Sequence, residues 1–364
     1  MATLADLQRA PGAAVPAPAG LALPGLTGAR TVDTPEFRGM TFLEVQTKTA
    51  LNKVTGMPFP WSINLYRGCQ HACKYCFARP THTYLNLSAT EDFDSTIVVK
   101  TNIVEVLRAE LARPSWKGQH VALGTNTDPY QRAEGRYGLM PGVIAALAKS
   151  YTPFSILTKG TLITRDIEAL QQAAQRVPVT ASMTIGMLDE GLWHAVEPGT
   201  PSPRARLEAV RRLNQAGIPT GVMLAPIMPR LNDGAAQLAE LTQAAADAGA
   251  THITPITLHL RPGVKEAFWP WLQAQHPELV AHYTALYGAP GTRGRSSLPK
   301  PVAEPLLRAV RQARDVAWRR RGDPPDRGAW PDPRRPGEQI TGHRVARRPI
   351  DAGAAEQLAL LSGG

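Results

Sequence analysis

The apolar residues of this chain follow two spacings that alternate between residues 58 and 275. Short runs rich in Val, Ile, Phe and Thr predict strands, and the stretches between them carry apolar residues at helical spacing. The predicted strands are 59–66, 120–124, 154–158, 179–186, 220–227 and 252–260. The predicted helices are 101–112, 140–149, 164–176, 204–216, 235–248 and 264–275. Most strand runs are apolar throughout, as a sheet covered by helices requires.

Six strand–helix units in succession predict an α/β fold with a parallel sheet and right-handed crossovers. The number six favours a partial (β/α)6 TIM-like barrel, and a doubly wound sheet is the alternative. In both architectures, ligands bind at the carboxyl ends of the strands. Functional residues are therefore expected in the loops that follow the strands.

Composition divides the chain into three parts. Residues 1–40 are rich in Ala and Pro and predict a flexible leader, residues 41–290 hold the barrel, and residues 291–364 form a basic C-terminal extension. The extension begins with a helical pattern and continues as a Pro- and Arg-rich, partly disordered segment. It carries 15 basic and 8 acidic residues, and the whole chain has a formal net charge of +10. We interpret it either as a solvated segment or as an arm that contacts nucleic-acid phosphates.

The chain carries no pattern typical of a membrane or secretory segment. No apolar run approaches the roughly 18 residues that cross a bilayer. The Ala- and Pro-rich start lacks the basic head and unbroken apolar core of a signal peptide. We therefore expect a cytoplasmic protein without membrane association, and the sequence does not indicate its oligomeric state.

All three cysteines lie in one stretch, NLYRGCQHACKYCFARPTHTYL, which begins within the first predicted strand. The Cys-x3-Cys-x2-Cys spacing suits a metal centre held by one loop. A structural zinc site needs a fourth ligand, such as His71 or His82, and a ferredoxin-like electron carrier needs a fourth cysteine. A 4Fe–4S cluster with one free iron needs only three thiolates, and an open coordination position is typical of catalytic metal centres. We favour the open cluster on Cys69, Cys73 and Cys76, and zinc stays an alternative.

The motif Cys69-x3-Cys73-x-Tyr75-Cys76 resembles the radical S-adenosylmethionine (radical SAM) superfamily. The resemblance implies a partial TIM-like radical SAM barrel, in which SAM binds the free iron through its amino and carboxylate groups. One electron from the cluster then cleaves SAM into methionine and a 5′-deoxyadenosyl radical, which abstracts a hydrogen atom from the substrate. The implied cofactors are a 4Fe–4S cluster and SAM. The implied partner is a low-potential electron donor of the flavodoxin or ferredoxin type.

Three longer segments resemble the spore photoproduct lyase-like branch of that superfamily. They are GCQHACKYCFARPTHTYL, STIVVKTNIVEVLRAEL and GTNTDPYQRAE, and the similarity covers roughly residues 55–265. Within the branch, the chain is more similar to other bacterial proteins than to the lyase itself. The lyase has a hydrogen-donating cysteine where this chain has Thr125. A nucleic-acid lesion or modification is the favoured substrate; a peptide or small molecule, and a zinc-stabilised nucleic-acid-binding protein without catalysis, are the alternatives.

The same resemblance predicts the residues that contact SAM. Thr127 and Asp128 match a hydroxyl and a carboxylate near the SAM ammonium group, and Lys159 matches a lysine directed at the SAM carboxylate. Ser182 matches a polar residue on the fourth strand near the cosubstrate. Each has a structural alternative, namely an Asx turn, a solvated strand-end lysine or a small core residue.

Other residues near the predicted rim have local interpretations. Tyr75 and Phe77 flank Cys76 and are predicted to pack on adenine, or else to be core aromatics. Glu197 and Arg206 are expected to pair across the loop after the fourth strand and to brace it. The remaining expectations are that Asn232 and Asp233 cap the next helix and that His252 and His259 are buried, satisfied histidines.

Overall fold

A computed structural model describes residues 14–16, 25–33 and 39–321. The strands are β1 (Ala14–Pro16), β2 (Leu26–Asp33), β3 (Thr41–Thr47), β4 (Leu51–Lys53), β5 (Trp61–Ile63), β6 (Tyr66–Arg67), β7 (Thr96–Lys100), β8 (Val121–Leu123), β9 (Phe154–Thr158), β10 (Val179–Thr184), β11 (Thr220–Ile227) and β12 (Ile253–Thr257). The α-helices are α1 (Ile103–Leu111), α2 (Arg132–Tyr137), α3 (Met140–Lys149), α4 (Ile167–Ala174), α5 (Glu190–Val196), α6 (Pro203–Gln215), α7 (Ala235–Asp247), α8 (Lys265–Gln275), α9 (Val280–Tyr287) and α10 (Lys300–Arg321). Short 3-10 helices occupy Arg79–Leu85, Thr161–Asp166 and Pro277–Leu279.

The larger sheet confirms the predicted parallel α/β architecture. Its order is β12-β11-β10-β9-β8-β5-β4, and all of its neighbouring strands run parallel except the antiparallel edge strand β4. Within the described strands β12 does not pair with β4, so the barrel is partial and open. The six parallel strands place their carboxyl ends along one rim, and the cysteine stretch leaves this sheet at the end of β5.

Strand side chains alternate between a helix-facing layer and an inner face. Ile156 and Ala181 belong to the main apolar core with residues of the surrounding helices. On the other face, Ser155 Oγ lies 2.9 Å from His120 Nε2, and Ser182 Oγ lies 3.0 Å from the Nε2 atom of a histidine just before β12. The concave inner face of the partial barrel is therefore polar.

The first predicted strand is divided between two sheets. β5 ends at Ile63, opposite Leu123 of β8, and after two intervening residues the chain enters the second sheet as β6. Gly124 has a φ of +91°, and a Cβ there would lie 2.0 Å from the Leu157 carbonyl oxygen. Only glycine tolerates this conformation and close approach, so the chain leaves the sheet directly after β8. Beyond Ile63, β5 therefore has no parallel strand with which to pair.

A second sheet of order β1-β2-β3-β7-β6 contains structure that the sequence pattern did not predict. Two of its strands, β1 and β2, fall within the predicted flexible leader. β2 buries Leu26 and Val32 and exposes Thr27 and Arg30, an alternation too sparse to stand out among the Ala and Pro residues. Its hydrogen bonds to β3 make it a strand. The rest of the leader lies outside the described residues.

Helix α10 occupies the position expected of the sixth barrel helix. It packs on α7 and β12, and Val310, Ala317 and Trp318 join the main core. The Arg321 guanidinium donates to the Ala246 carbonyl oxygen near the end of α7, at 2.7 Å. The helical start predicted for the basic extension is therefore part of the barrel. The Pro- and Arg-rich continuation lies outside the described residues.

Helix α8, which the sequence predicted as the sixth helix, belongs to a different apolar cluster. Together with α9 it packs against residues of the cysteine loop, including Cys73 and Tyr75. The two helices thus support the functional rim rather than the outer layer of the sheet. No helix among the described residues has the length and apolar character needed to cross a membrane.

Candidate active site

The cysteine loop is held in place by its backbone. Gly68 precedes it with a φ of +80°, and a Cβ there would lie 2.7 Å from the Phe93 carbonyl oxygen. The amide of Cys69 donates to that same carbonyl at 3.0 Å. Ala72 has a φ of +53°, so the chain turns sharply between the first and second cysteines. The loop is therefore fixed by local geometry at the carboxyl end of the parallel sheet.

Arg79 is the main side-chain support of the loop, and the sequence analysis missed it. Its Nε donates to the Cys73 carbonyl at 3.1 Å, and its Nη1 donates to two backbone carbonyls of the following loop. Its Nη2 pairs with Asp94 at 2.9 Å, and the guanidinium lies 5.2 Å from the Phe93 ring centroid. A fully buried arginine is stable only with such a complete set of partners. The arginine after the last cysteine was a possible sequence signal, but its partners are distant in sequence.

The three thiols lie in an apolar setting, with Cys69 and Cys73 buried and Cys76 half-buried. Burial raises the pKa of Cys69 well above its usual range, and Asp128 and the other two thiols raise it further. Burial likewise raises the pKa of Cys73 to about 12. Burial also raises the pKa of Cys76, although a hydrogen bond from a backbone N–H partly lowers it. Such thiols form thiolates readily only with a cation to bind, which is what a metal centre supplies.

The three cysteine thiols are the donor set that the loop offers to a metal centre. As the side chains stand, no group of three or more His, Cys, Asp or Glu residues in the described part of the chain could hold a metal ion. Thiolates on separate irons of a cubane lie further apart than ligands about 2.3 Å from one zinc. The two histidines considered as a fourth zinc ligand have fold partners: His71 Nδ1 lies 3.3 Å from Asp128, and His82 Nε2 lies 3.0 Å from the Thr96 carbonyl oxygen.

A buried charged network adjoins the thiols. The Tyr75 hydroxyl donates to Glu197, and the other oxygen of Glu197 pairs with Arg206 at 2.5 Å. Arg206 also donates to the Thr184 carbonyl at 2.9 Å. Burial opposes ionisation of Glu197, but Arg206 and Lys159 together lower its pKa below the usual value. The expected Glu197–Arg206 brace is confirmed, and it extends to Tyr75.

Lys159 brings a positive charge to the cysteine loop. Its Nζ lies 5.6 Å from the Tyr75 ring centroid. Burial opposes its charge, but Cys73 and Glu197 raise its pKa above the usual value. Among the described residues, Nζ has no hydrogen-bond acceptor, so the ammonium group is available for an anionic ligand. The predicted contact with the SAM carboxylate stays a prediction that this geometry accommodates.

Asp128 is engaged differently from the predicted ammonium contact. Its Oδ1 accepts from the Thr158 hydroxyl at 2.5 Å and the Tyr130 amide at 2.9 Å. Its Oδ2 accepts from the Lys159 amide at 2.6 Å and lies 3.3 Å from His71 Nδ1. Burial would raise the pKa of Asp128, but His71 and these hydrogen bonds lower it to about 2. Because four donors fill a carboxylate's capacity, binding an ammonium group would require one of them to leave.

Thr127 and the neighbouring Gln131 tie the second loop to the cysteine loop. The Thr127 hydroxyl donates to the Gly68 carbonyl at 2.7 Å, and Gln131 Nε2 donates to the same oxygen at 3.1 Å. Gln131 Oε1 accepts from the Gln70 amide at 3.0 Å. The role predicted for Thr127 in binding SAM stays a prediction, whereas its support of the loop is directly visible. Gln131 was missed because a buried glutamine leaves no pattern in sequence.

Of the remaining predicted residues, Phe77 lies beside the cysteine loop and Ser182 lies within the sheet. Phe77 is 48% exposed beside Cys76, so its ring is open to a ligand. Ser182 lies mid-strand and pairs with His252, whose ring covers Gly221. The expectation of a buried, satisfied histidine is confirmed for His252. His259 has a partner, since its Nδ1 lies 3.0 Å from Ser297 Oγ, but it is half-buried and not buried.

The expected helix caps at Asn232 and Asp233 are wrong. Gly234 is the residue that precedes α7, and its amide is capped by Gln237. Asn232 instead donates to the Gly186 carbonyl at 2.7 Å and accepts from the Met228 amide at 2.6 Å. Asp233 accepts from the Arg230 amide. These side chains therefore brace the loop after β11, and the N-cap position directly before the helix belongs to Gly234.

The open parallel sheet and the three-thiol loop at its carboxyl rim define a radical SAM fold, and the chain belongs to that superfamily. The family model described as the Radical SAM superfamily matches residues 63–242. An uncharacterized protein of Mycobacterium tuberculosis is 53% identical over 272 residues, covering 73% of this chain and 80% of that protein. An uncharacterized protein of Methanocaldococcus jannaschii is 28% identical over 191 residues, covering 52% of this chain and 69% of that protein.

Solved structures of spore photoproduct lyase share the fold. One in complex with a dinucleoside spore photoproduct has a TM-score of 0.59 at 16% identity and covers 76% of this chain and 79% of that chain. A mutant with bound AdoMet and dinucleoside spore photoproduct has a TM-score of 0.55 at 17% identity and covers 71% and 74%. The architecture expected from sequence is thus confirmed.

Proposed function

We propose that the chain holds one 4Fe–4S cluster on Cys69, Cys73 and Cys76 and uses it to cleave SAM reductively. The observation that carries this proposal is the group of three thiols, two buried and one half-buried, in one braced loop at the carboxyl rim. With an external low-potential electron donor, such a cluster would supply the one electron that breaks the S–C5′ bond of SAM, so that methionine and a 5′-deoxyadenosyl radical would form and the radical would take a hydrogen atom from the substrate.

The chain's own residues prepare the site for this chemistry. Arg79 and the Gly68 turn orient the cysteine loop, so the thiolates need little reorganisation on binding. Lys159 offers an unpaired ammonium group to the SAM carboxylate, and the Tyr75–Glu197 contact fixes the ring over which that ammonium lies. Apolar packing from α8 and α9 excludes water from the rear of the loop, which protects a reactive radical from side reactions.

We propose a nucleic acid as the substrate class. The fold shared with a lyase that binds a dinucleoside photoproduct supports this choice, as does the net charge of +10. The concave face of the sheet offers polar side chains such as Ser182, and exposed Phe77 offers an aromatic surface on which a base stacks. A peptide or small molecule is the competing substrate class.

Anaerobic reconstitution tests the cofactor proposal. We expect about four irons per wild-type chain from the cubane stoichiometry, a brown colour, and 5′-deoxyadenosine after addition of reductant and SAM. Cys76→Ala should lose both the absorbance and SAM cleavage. Thr83→Val is the matched control, because Thr83 lies in the next turn and its hydroxyl contacts only the Pro80 carbonyl. A colourless protein with stoichiometric zinc would contradict the proposal.

Deuterated nucleic acids then test the substrate class. Incubation with perdeuterated oligonucleotides should place deuterium in 5′-deoxyadenosine, as measured by mass spectrometry. Transfer from a deuterated peptide pool, but not from DNA or RNA, would favour the competing class.

A further inference from the structure

A basic surface lies on the rim and has no part in the cofactor site described above. We define the rim arginine surface as Arg261, Arg293 and Arg295. Arg261 follows β12, and the other two lie in the glycine-rich loop after α9. All three are at least partly exposed. No acidic residue occurs between Glu278 and Glu304, so the charge of this loop is not neutralised locally.

Two contacts bring the separate segments of this surface together. The Leu260 amide donates to the Ser296 carbonyl at 2.7 Å, and His259 Nδ1 lies 3.0 Å from Ser297 Oγ. The successive pairs 259 with 297 and 260 with 296 run antiparallel. Arg261 directly follows Leu260 and Arg295 directly precedes Ser296, so the two arginines flank the backbone hydrogen bond that joins the segments.

The three guanidinium groups lack partners within the described residues. Arg261 Nε is shielded from solvent and has no hydrogen-bond acceptor. None of the three arginines forms an ion pair with a described carboxylate, and the nearby Glu266 carboxylate accepts from the Gly263 amide at 2.6 Å instead. A shielded donor without an acceptor is unfavourable, and a ligand oxygen that reached it would remove this cost.

The loop backbone adds further donors. The N–H groups of Arg293, Gly294 and Arg295 have no acceptor in the part of the chain that the structure describes. A Cβ at Gly294 would lie 2.1 Å from the Tyr287 carbonyl oxygen, so glycine allows the loop to pack against the end of α9. Successive free N–H groups beside guanidinium forks are a recurrent way to hold phosphate oxygens.

The surface adjoins the cysteine loop. A Cβ at Gly263 would lie 2.7 Å from Pro80 Cγ, so the segment after Arg261 contacts the 3-10 helix that follows the last cysteine. Leu260 and Cys73 also belong to one apolar cluster. A chain of phosphates on the rim arginine surface would therefore pass beside the cysteine loop.

We propose that the rim arginine surface binds the phosphate backbone of a nucleic acid and so presents a nucleotide to the cysteine loop. This inference rests on the proposed function for its catalytic meaning, but the binding itself is measured separately. It places the phosphate contacts on the described rim, independently of residues 322–364.

Fluorescence anisotropy with labelled single-stranded DNA tests the proposal on the full-length chain. Arg261→Gln/Arg293→Gln/Arg295→Gln should weaken binding about 10- to 100-fold at low salt. It should also lower the slope of log K against log salt by about 2, since each lost single-strand phosphate contact removes roughly 0.7. The double variant Arg293→Gln/Arg295→Gln changes only the exposed loop and should lose an intermediate amount of DNA affinity. It keeps the test valid if the triple variant does not fold.

The matched control is Arg113→Gln/Lys117→Gln/Lys149→Gln. These exposed residues follow α1 or end α3, at the opposite, amino-terminal edge of the sheet, and their replacement removes the same charge. Wild-type binding by the rim variants, or equal weakening in the control, would overturn the proposal. So would a wild-type protein that releases 5′-deoxyadenosine but binds no DNA or RNA at low salt, and in that case the radical SAM proposal stands. Binding without SAM cleavage would instead overturn the proposed function alone.

Discussion

At the scale of single residues, the Asp128 carboxylate joins the second loop to β9 and to the cysteine loop through four donors. In Asp128→Asn, an NH2 group replaces one carboxylate oxygen that accepts hydrogen bonds. This NH2 group then faces another donor, and neither has an acceptor. We expect the free energy of unfolding of the apo chain to fall by about 1–3 kcal/mol, the cost of an unsatisfied buried polar group. Urea denaturation measures it.

Asp247→Asn is the control for that substitution, because this exposed carboxylate accepts only from Gln243 at 2.8 Å. Its effect should stay within about 0.5 kcal/mol. If Asp128→Asn left stability unchanged but weakened SAM binding about tenfold, the ammonium contact predicted from sequence would be correct and the bracing role wrong.

Lys100 gives a pH dependence at the same scale. Burial, with a smaller effect of Arg67, lowers its pKa from 10.5 to about 8, and its Nζ donates to the Asn64 carbonyl at 2.8 Å. Between pH 8 and 10.5, the unfolded chain keeps this proton while the folded chain has lost it. Stability therefore rises with pH across this window, by an amount on the order of 3 kcal/mol from this group.

Urea unfolding of wild type and Lys100→Met at pH 7.5 and pH 10.5 checks this sign. The stability of wild type relative to the variant should increase at the higher pH. Lys149→Met removes an exposed lysine and should show a constant difference. A constant difference for Lys100→Met as well would contradict the prediction.

At the scale of elements, α10 is a barrel helix and not an appendage. Trp318 is buried against α7 and β12, with the Arg321 guanidinium 5.5 Å from its ring centroid. Trp318→Ala should lower the free energy of unfolding by about 3–5 kcal/mol. Val316 on the same helix is 40% exposed, and Val316→Ala should cost less than about 1 kcal/mol. Similar small losses for both would show that α10 docks only weakly.

The strands and helices were predictable from the sequence where the spacing of apolar residues alone defines the element. Five of the six predicted helices match α1, α3, α4, α6 and α7 closely in position and barrel role, because each has an apolar face and a clear end. The role of α8 was not predictable, since α8 and α10 both have a buried face and only packing decides which one covers β12. The division of β5 from β6 depends on the turn at Gly124, which lies about sixty residues away in sequence.

The candidate site divides in the same way. The cysteines and Lys159 were found because their spacing or strand-end position carries a signal. Arg79 and Gln131 were missed because their roles depend on carbonyl oxygens that the fold brings near. Asp128 was found, but its partners were not. A carboxylate beside a turn looks the same in sequence whether it binds a ligand or braces the loop.

At the scale of the whole molecule, the chain has only three cysteines, and all are in the cysteine loop. The position that resembles the lyase's hydrogen-donating cysteine is Thr125, whose hydroxyl shares hydrogen bonds with Asn64. Tyr75 of the cysteine loop and Tyr130 of the second loop are poorly placed to substitute for a cysteine. The Tyr75 hydroxyl donates to Glu197, and Tyr130 is only 2% exposed. Neither the Thr125 hydroxyl nor these two tyrosines therefore offers an accessible thiol or phenol to quench a product radical.

We accordingly expect poor or aberrant conversion of the dinucleotide spore photoproduct, because a threonine O–H bond is too strong to donate a hydrogen atom readily to a carbon radical. Thr125→Cys should raise the yield of clean thymine product several-fold, since the thiol would stand at the end of β8 beside the cysteine loop. Thr161→Cys adds a thiol at the start of the 3-10 helix after β9 and should have no effect. Chromatography of reconstituted enzyme reactions measures both. Rapid, clean conversion by the wild-type protein would contradict this prediction, and it would mean that hydrogen return in this chain comes from SAM-derived 5′-deoxyadenosine or the substrate itself.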